Sequence, residues 1–399
     1  MSNDLSDFRS EVSQWVAENF PPALKGNPPA FEGPEDEALK PDYELWRSRL
    51  AAQGWGAPTW EQRYGGAGLS HPQAKVIAQE LAKAGAFNHI PLLAGMGVTM
   101  VGPTIMEYGT DAQKARHLPG IASGEIRWCL GLSEPNAGSD LASVATKAVV
   151  DGDSFVINGQ KIWTSGADIS HWCGALVRTD NNVKKRDGIS FMLLPMDQTG
   201  VATKPIKLIA GASPFCETFF NDARAEKGEL LGKLNDGWSV IKRLLQHERQ
   251  SQTTARTTAK SEPLQDIAKR YVGTTTDGVL QDPDLRSRLA QHLMDAQAHS
   301  LTIARITAEA KGKVEVSAAA SILKNSATNV AQTKAELTVE LMGNQGVGWE
   351  GDDFTEYELA NVREWLAGKA TSIYGGSYEV QNNIISKNIL GLPETTQKG

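Results

Sequence analysis

The stretch Leu130–Asp140, LGLSEPNAGSD, runs from apolar residues into a turn of small and hydroxyl-bearing ones. Such turns present backbone N–H groups and hydroxyls to a ligand rich in acceptors, although a plain polar connection has the same composition. Farther on, Lys161-Ile162-Trp163-Thr164-Ser165-Gly166 places a large aromatic just before a small hydroxyl residue at the end of a strand-like run. A Trp in a strand is more often core than ligand contact. A third feature is Gln246-His247-Glu248-Arg249. Counted from Ile241, Leu244 and Leu245, Glu248 lies at i+7, i+4 and i+3, on the apolar face of a helix that Ala255 continues. A carboxylate on a buried face is costly unless it is paired or functional, and burial raises its pKa toward that of a proton acceptor working near neutrality. The competing reading is an ion pair at an interface. Arg249, one position on, diverges from Glu248 and is a poor intrahelical partner. His247 points off the Glu248 face, His171 before Trp172 reads as structural, and no Ser/His/Asp set suggests hydrolysis. Cys129, Cys173 and Cys216 are isolated, without a CxxC or clustered His, which predicts reduced thiols and no metal site.

The elements that must position these residues follow from periodicity. Phe8, Val12, Trp15, Val16 and Phe20 recur at helical spacing, and helical patterns return at about 43–53 and 71–84 after a Pro/Gly/acidic loop between Pro21 and Pro41. From about Arg127 to Gly232 the runs are short and rich in β-branched and aromatic residues. Asp151-Gly152 and Asn158-Gly159 both read as hairpin turns, because a type I′ turn needs positive φ at its two centre residues. Long helices follow at about 238–260, 284–309 and 316–342, with Pro263 separating the first from its successor, and the tail carries the Gly375-Gly376 pair before the helical VQNNIISKNIL. This order predicts helical residues 1–126, a middle β domain at 127–234 and helical residues 235–399. Ala94, Gly95, Gly97 and the Gly375-Gly376 pair suggest room for a bulky ligand.

Composition sets the outer bounds. The chain has 399 residues, 40% hydrophobic and 22% charged, with a net charge of −7. That is an ordinary globular composition with no attraction for a polyanion, so nucleic acid is excluded as a partner. No apolar run reaches the roughly 18–20 residues of a membrane span, and the opening MSNDLSDFRSEVSQWVAENF carries acids where a targeting peptide carries bases. The expectation is a soluble, cytoplasmic protein.

LSEPNAGSD followed by INGQKIWTSG, inside a β domain bracketed by helices, resembles the acyl-CoA dehydrogenase flavoprotein family, and the tail IYGGSYEVQNNIISKNILGLP is similar to that family's C-terminal motif. The resemblance spans essentially the whole chain. It implies an α+β multidomain fold: an N-terminal α domain, a middle antiparallel β domain and a C-terminal four-helix bundle. It also implies FAD as cofactor, an acyl-CoA substrate oxidised to a trans-2-enoyl-CoA, and an electron-transferring flavoprotein as acceptor.

Position by position, the resemblance implies flavin contacts at Leu130, Leu132 and Ser133, continued by Gly138 and Ser139, with Ser139 also touching the CoA part of the substrate. Trp163 would shield the ring and Ser165 would offer a hydroxyl near flavin N5. Ser377, Tyr378 and Glu379 stand where relatives hold the flavin, and Gly375 and Gly376 lie on the substrate side. Many members carry the catalytic glutamate in a Tyr-Glu-Gly of the tail, where this chain has Tyr374-Gly375-Gly376. Members resembling isovaleryl-CoA dehydrogenase place it before an arginine on the first long helix after the β domain, which selects Glu248 as base, with Arg249 beside the substrate. The Gly375 amide survives as a donor to the thioester oxygen.

Two departures remain. The Arg-x-x-Phe-Gly stretch of relatives is replaced by SEPLQDIAKRYVGTTTDGVLQDPDLRSRLA, and Glu340 stands where an amide near the flavin pyrophosphate is usual. A carboxylate there repels phosphate unless it turns away or the site is rebuilt. The family assembles as homodimers or homotetramers, and some bacterial members form heterotetramers in which a partner completes the flavin site. It also includes oxidases and monooxygenases, and all these alternatives stay open from sequence.

Overall fold

The computed structural model describes residues 2–29, 37–255, 262–309 and 320–393. The chain divides into two compact units: Met1–Ile206 with Ser213–Thr253, and Lys207–Ala212 with Thr254–Gly399.

The first unit opens with α1 (Ser2–Asn19), α2 (Lys40–Ala52) and α3 (His71–Ala84), close to the periods read from sequence. Their apolar stripes meet in one cluster around Trp46, Trp55, Leu50, Ile77 and Ile90. Ser70 begins α3 with a capping box and Gly85 ends it at φ 73°. After the short α4 (Ile90–Leu93), a π-turn spans Gly97–Val101 and leads into α5 (Gly102–Tyr108) and α6 (Asp111–Ser123). Pro103 lacks the N–H that an α-helical register would need, and the turn widens to i→i+5 bonds such as Val101 N to Met96 O at 3.0 Å.

The sheet comprises β1 (Trp128–Gly131), β2 (Lys147–Asp151), β3 (Ser154–Ser165), β4 (Trp172–Arg178), β5 (Ile189–Pro195), β6 (Val201–Ile206), β7 (Phe215–Glu226) and β8 (Leu230–Leu231). Its order is β6-β7-β3-β2-β4-β5-β8, with β1 laid parallel on β4 and most other pairs antiparallel. Asp151-Gly152 forms the expected hairpin between β2 and β3. Asn158-Gly159 does not turn. It lies inside β3 at a register shift against β7, where the Asn158 side chain exchanges hydrogen bonds with Asp222. Glycine is required at 159 because a Cβ there would come 2.7 Å from the Thr146 Cα.

Helix α7 (Gly237–Ala255) completes this unit. It buries Val240, Ile241 and Leu244 in a cluster shared with Met100 and Ile105 of the α4–α5 region and with Leu176, Phe191 and Leu193 of the sheet.

The second unit contains α8 (Leu264–Tyr271), α9 (Pro283–Glu309), α10 (Ala320–Leu341), α11 (Glu356–Gly368) and α12 (Tyr378–Ile384). Pro263 caps α8, and Leu264, Ile267, Leu285, Leu289, Leu337 and Leu341 form its core.

Two of the small residues taken as a sign of ligand space, Gly95 and Gly97, are used by packing instead, as is Gly102. A Cβ on Gly95 would lie 2.6 Å from the Trp128 carbonyl, one on Gly97 2.9 Å from Ile121, and one on Gly102 inside the Trp60 indole. Gly102→Ala is expected to lower stability by about 1–3 kcal/mol through overpacking, whereas Gly228→Ala, with open space around it, stays within about 0.5 kcal/mol. Urea midpoints at unchanged m-value measure both, and a harmless Gly102→Ala would contradict the packing account.

Candidate active site

The segment Leu130–Ser133 is built around a buried lysine. Lys161 on β3 is fully buried, and its ammonium donates to Glu134 Oε1 at 2.8 Å, the Leu132 carbonyl at 3.1 Å and the Leu176 carbonyl at 2.6 Å. Its stem passes Gly131, where a Cβ would lie 3.2 Å from Lys161 Cγ and 3.1 Å from Cys173 Sγ. The Glu134 carboxylate also accepts from the Ala145 and Thr146 amides at 2.6 and 2.9 Å, closing the loop over the pair. Burial pushes the Glu134 carboxyl up, but the charge and hydrogen bond of Lys161, with these amides, outweigh it and hold the group below its ordinary value.

Trp163 sits where β3 slips against β7, between Lys161 and Thr164. The slip frees Ile162 N to donate to the Ser133 carbonyl at 3.0 Å. It also holds Trp163 at φ 61°, a left-handed conformation costly for a bulky residue, with 53% of the residue exposed and its edge against Phe215. A large aromatic kept strained and uncovered is not a core residue. Ser165 closes β3 opposite Phe215, half-buried, and Gly138 and Ser139 are exposed on the loop after Glu134.

Glu248 lies on α7, half-buried, on the face whose preceding turns bury Ile241 and Leu244. Upstream, Arg243 clamps Glu107 of α5 through Nε and Nη2 at 2.6 and 2.7 Å, and His247 Nε2 lies 3.3 Å from the same carboxylate. Hydrogen bonding from Arg243 holds the Glu107 carboxyl below its usual range. His247 is thus an anchor of α7. The side chain of Arg249 lies outside the described residues. Leu130 and Leu132 pack on the same apolar cluster as Leu244 and Leu245, so the turn after β1 and the helix bearing Glu248 share one wall.

In the second unit the tail is a separate construction. Gly375 and Gly376 have φ 66° and 92°, the Gly375 carbonyl accepts from Gln381 Nε2 at 3.1 Å, and a Cβ on Gly376 would collide with that amide. Ser377 caps α12, Tyr378 donates to Asn329, and Glu379 is exposed in the first turn. Glu340 on α10 is bridged by both Nη atoms of Arg288 on α9, each at 2.5 Å.

Sequence reasoning passed over Lys161, Arg178 and Lys185. Arg178 is buried with only carbonyl acceptors: Val144 O at 3.2 Å, Ala142 O at 2.6 Å and Lys185 O at 2.5 Å. Together with Lys147, Lys185 and Asn181 it lines a cleft of about 390 Å³. Period-two alternation through Phe155 and Ile157 leads to Lys161, and a lysine at an inward position was the available signal.

Family models for the acyl-CoA dehydrogenase N-terminal, middle and C-terminal domains match residues 2–125, 129–223 and 235–390. The chain is 38% identical to the acyl-CoA dehydrogenase IpdE1 of Mycolicibacterium smegmatis over 98% of both chains. Among solved structures it resembles the Tcur3481-Tcur3483 steroid ACAD (29% identity, TM-score 0.74) and the ChsE4-ChsE5 complex of Mycobacterium tuberculosis (28%, TM-score 0.72), each over 98% of both chains.

The Glu134 carboxyl links the site to pH. A group held below its ordinary value of 4.5 adds stability that is present above that pH and lost as pH falls through its folded-state value. Urea titrations between about pH 6 and pH 3 are expected to show a steeper acid loss in wild type than in Glu134→Gln. Parallel slopes would refute the assignment.

Proposed function

Because the chain belongs to the acyl-CoA dehydrogenase family of oxidoreductases, we propose that it desaturates an acyl-CoA thioester between Cα and Cβ, giving a trans-2-enoyl-CoA, with Glu248 as the base for the α proton. The observation that carries this reading is the shared wall. Helix α7 and the turn Leu130–Ser133 rest on one apolar cluster, and no tail carboxylate stands at the Gly375-Gly376 position.

The residues present suit a flavin. Leu130 and Leu132 offer an apolar edge, the Ser133 N–H has no acceptor among the described residues, Trp163 is an uncovered aromatic, and Ser165 adds a hydroxyl. For the second unit, the resemblance assigns Ser377, Tyr378 and Glu379 to the flavin and Gly375 and Gly376 to the substrate side. FAD, when bound, supplies the hydride acceptor. Glu248 accepts the α proton at a carboxylate oxygen. The Gly375 amide donates to the thioester oxygen as charge develops there, a task that needs a backbone N–H and no side chain. Ser139 and the cleft bearing Lys147, Arg178 and Lys185 receive the phosphates of CoA, because Arg178 is hydrogen-bonded to carbonyls and not to a carboxylate. Electrons leave to an electron-transferring flavoprotein.

One observation favours a second reading, a subunit that needs a homologous partner. The bidentate Arg288–Glu340 pair occupies the position where relatives use an amide near pyrophosphate, and the two similar structures are named as two-chain assemblies. Co-expression with a homologous chain from the same source is then expected to raise FAD content per complex above that of the chain alone. Full flavin loading of the isolated chain would remove this reading.

Glu248→Gln is expected to bind FAD and acyl-CoA while losing about 10²–10⁴-fold in turnover, measured by anaerobic flavin bleaching against straight, branched and cyclic acyl-CoAs. Near-normal turnover would reject Glu248 as base.

A further inference from the structure

Resting on the reading that this chain binds FAD, we propose that Lys161 is a positioning residue for the flavin: by holding the Leu132 carbonyl inward, it turns the Ser133 N–H outward as a donor to the acceptor edge of the isoalloxazine ring.

Peptide geometry fixes this orientation. In a trans peptide the C=O and the following N–H point in opposite directions, and no cis peptide occurs among the described residues. The Leu132 carbonyl accepts from the Lys161 ammonium at 3.1 Å inside the protein, so the Ser133 N–H on the same peptide plane is aimed away from it. The next carbonyl, that of Ser133, is held by Ile162 N at 3.0 Å, which fixes the second plane as well. No group among the described residues accepts from the Ser133 N–H. A half-buried backbone donor left unspent calls for an acceptor from outside the chain.

Lys161 is built for this task. An ammonium has three protons, and here they go to Glu134, Leu132 and Leu176, on the loop and on β4. Glu134 balances the charge, Leu176 fixes the lysine to the sheet, and Leu132 is the output. Gly131 gives the alkyl stem its passage. The slip in β3 directly after Lys161 produces both the Ile162–Ser133 hydrogen bond and the exposed Trp163, so one strand irregularity sets the ring's hydrogen-bonding edge and its cover together.

Two measurements test this. In wild-type protein, residue-resolved hydrogen exchange is expected to slow at the Ser133 amide by about tenfold or more when FAD is added, the protection one backbone hydrogen bond brings. No slowing at Ser133, with FAD bound, would overturn the proposal. The second compares Lys161→Met/Glu134→Gln with wild type. Removing both members of the pair leaves neither as an unpaired buried ion, so the thermal melt is expected to recover relative to Lys161→Met alone, while FAD affinity stays about tenfold or more below wild type and the flavin absorption band shifts. Wild-type FAD affinity in the double variant would show that Lys161 only neutralises Glu134, and would also overturn the proposal. Should the double variant not fold, the exchange measurement decides by itself. A wild-type chain that binds no FAD alone or with a partner defeats the proposed function, a different outcome from FAD bound without protection at Ser133.

Discussion

An ammonium group with no solvent contact must spend every proton on the protein, and Lys161 does so on one loop and on strand β4. The constraint spreads because its counter-ion is equally committed: Glu134 receives two backbone amides besides the lysine. Removing one member of a buried pair typically costs about 3–5 kcal/mol, against a total stability of about 5–15 kcal/mol for a domain. The segment from Leu132 to Thr146 therefore cannot shift relative to β3 and β4 without giving up a large part of what holds the unit folded. Preorganisation of the turn after β1 is a by-product of an electrostatic requirement in the core.

The helix bearing the candidate base is fixed by a different device. Val240, Ile241 and Leu244 set its depth, since each is fully or almost fully buried among residues from α5 and the sheet. Apolar packing is non-directional, however, and leaves rotation about the helix axis weakly specified. The Glu107 carboxylate supplies direction, because a bidentate guanidinium contact has defined geometry and His247 adds a contact one turn later. Glu248, next to His247, inherits an orientation set on the opposite side of the helix.

What the sequence makes legible follows the range of the interaction. Helix α3 and the β2–β3 hairpin can be read off because their signals are local: a capping box with a regular apolar stripe, and an Asp-Gly at the strand ends. Asn158-Gly159 carries the same local signal as Asp151-Gly152 yet stays extended, since Thr146 and Asp222 approach from elsewhere in the chain and convert a turn dipeptide into a strand irregularity. Gly95 and Gly97 misdirect for the same reason, because nothing local distinguishes a glycine that makes room for a ligand from one that makes room for Trp128 or Ile121. Motif likeness singles out Leu130–Ser133 and Trp163 as candidates, whereas the means by which they are held are long-range contacts that neither periodicity nor motif contains.

The same distinction separates the two kinds of ion pair in this chain. Lys161–Glu134 is buried and cannot exchange partners without large cost, so it suits a part that must not move. Arg288–Glu340 joins side chains that are both nearly half exposed, and exposed pairs contribute about 0–1 kcal/mol even in good geometry. A bond that weak is no structural necessity for α9 and α10, whose apolar core at Leu285, Leu289, Leu337 and Leu341 holds them together without it. Its effect is local neutralisation. With Arg288 engaged, the Glu340 carboxylate presents little net repulsion to an approaching phosphate, and a phosphate can compete for the guanidinium at small energetic cost, since one charge-assisted bidentate contact replaces another. An acid at position 340, where the resemblance implies an amide, is therefore neutralised by an arginine one helix away, and the two positions have to be read together.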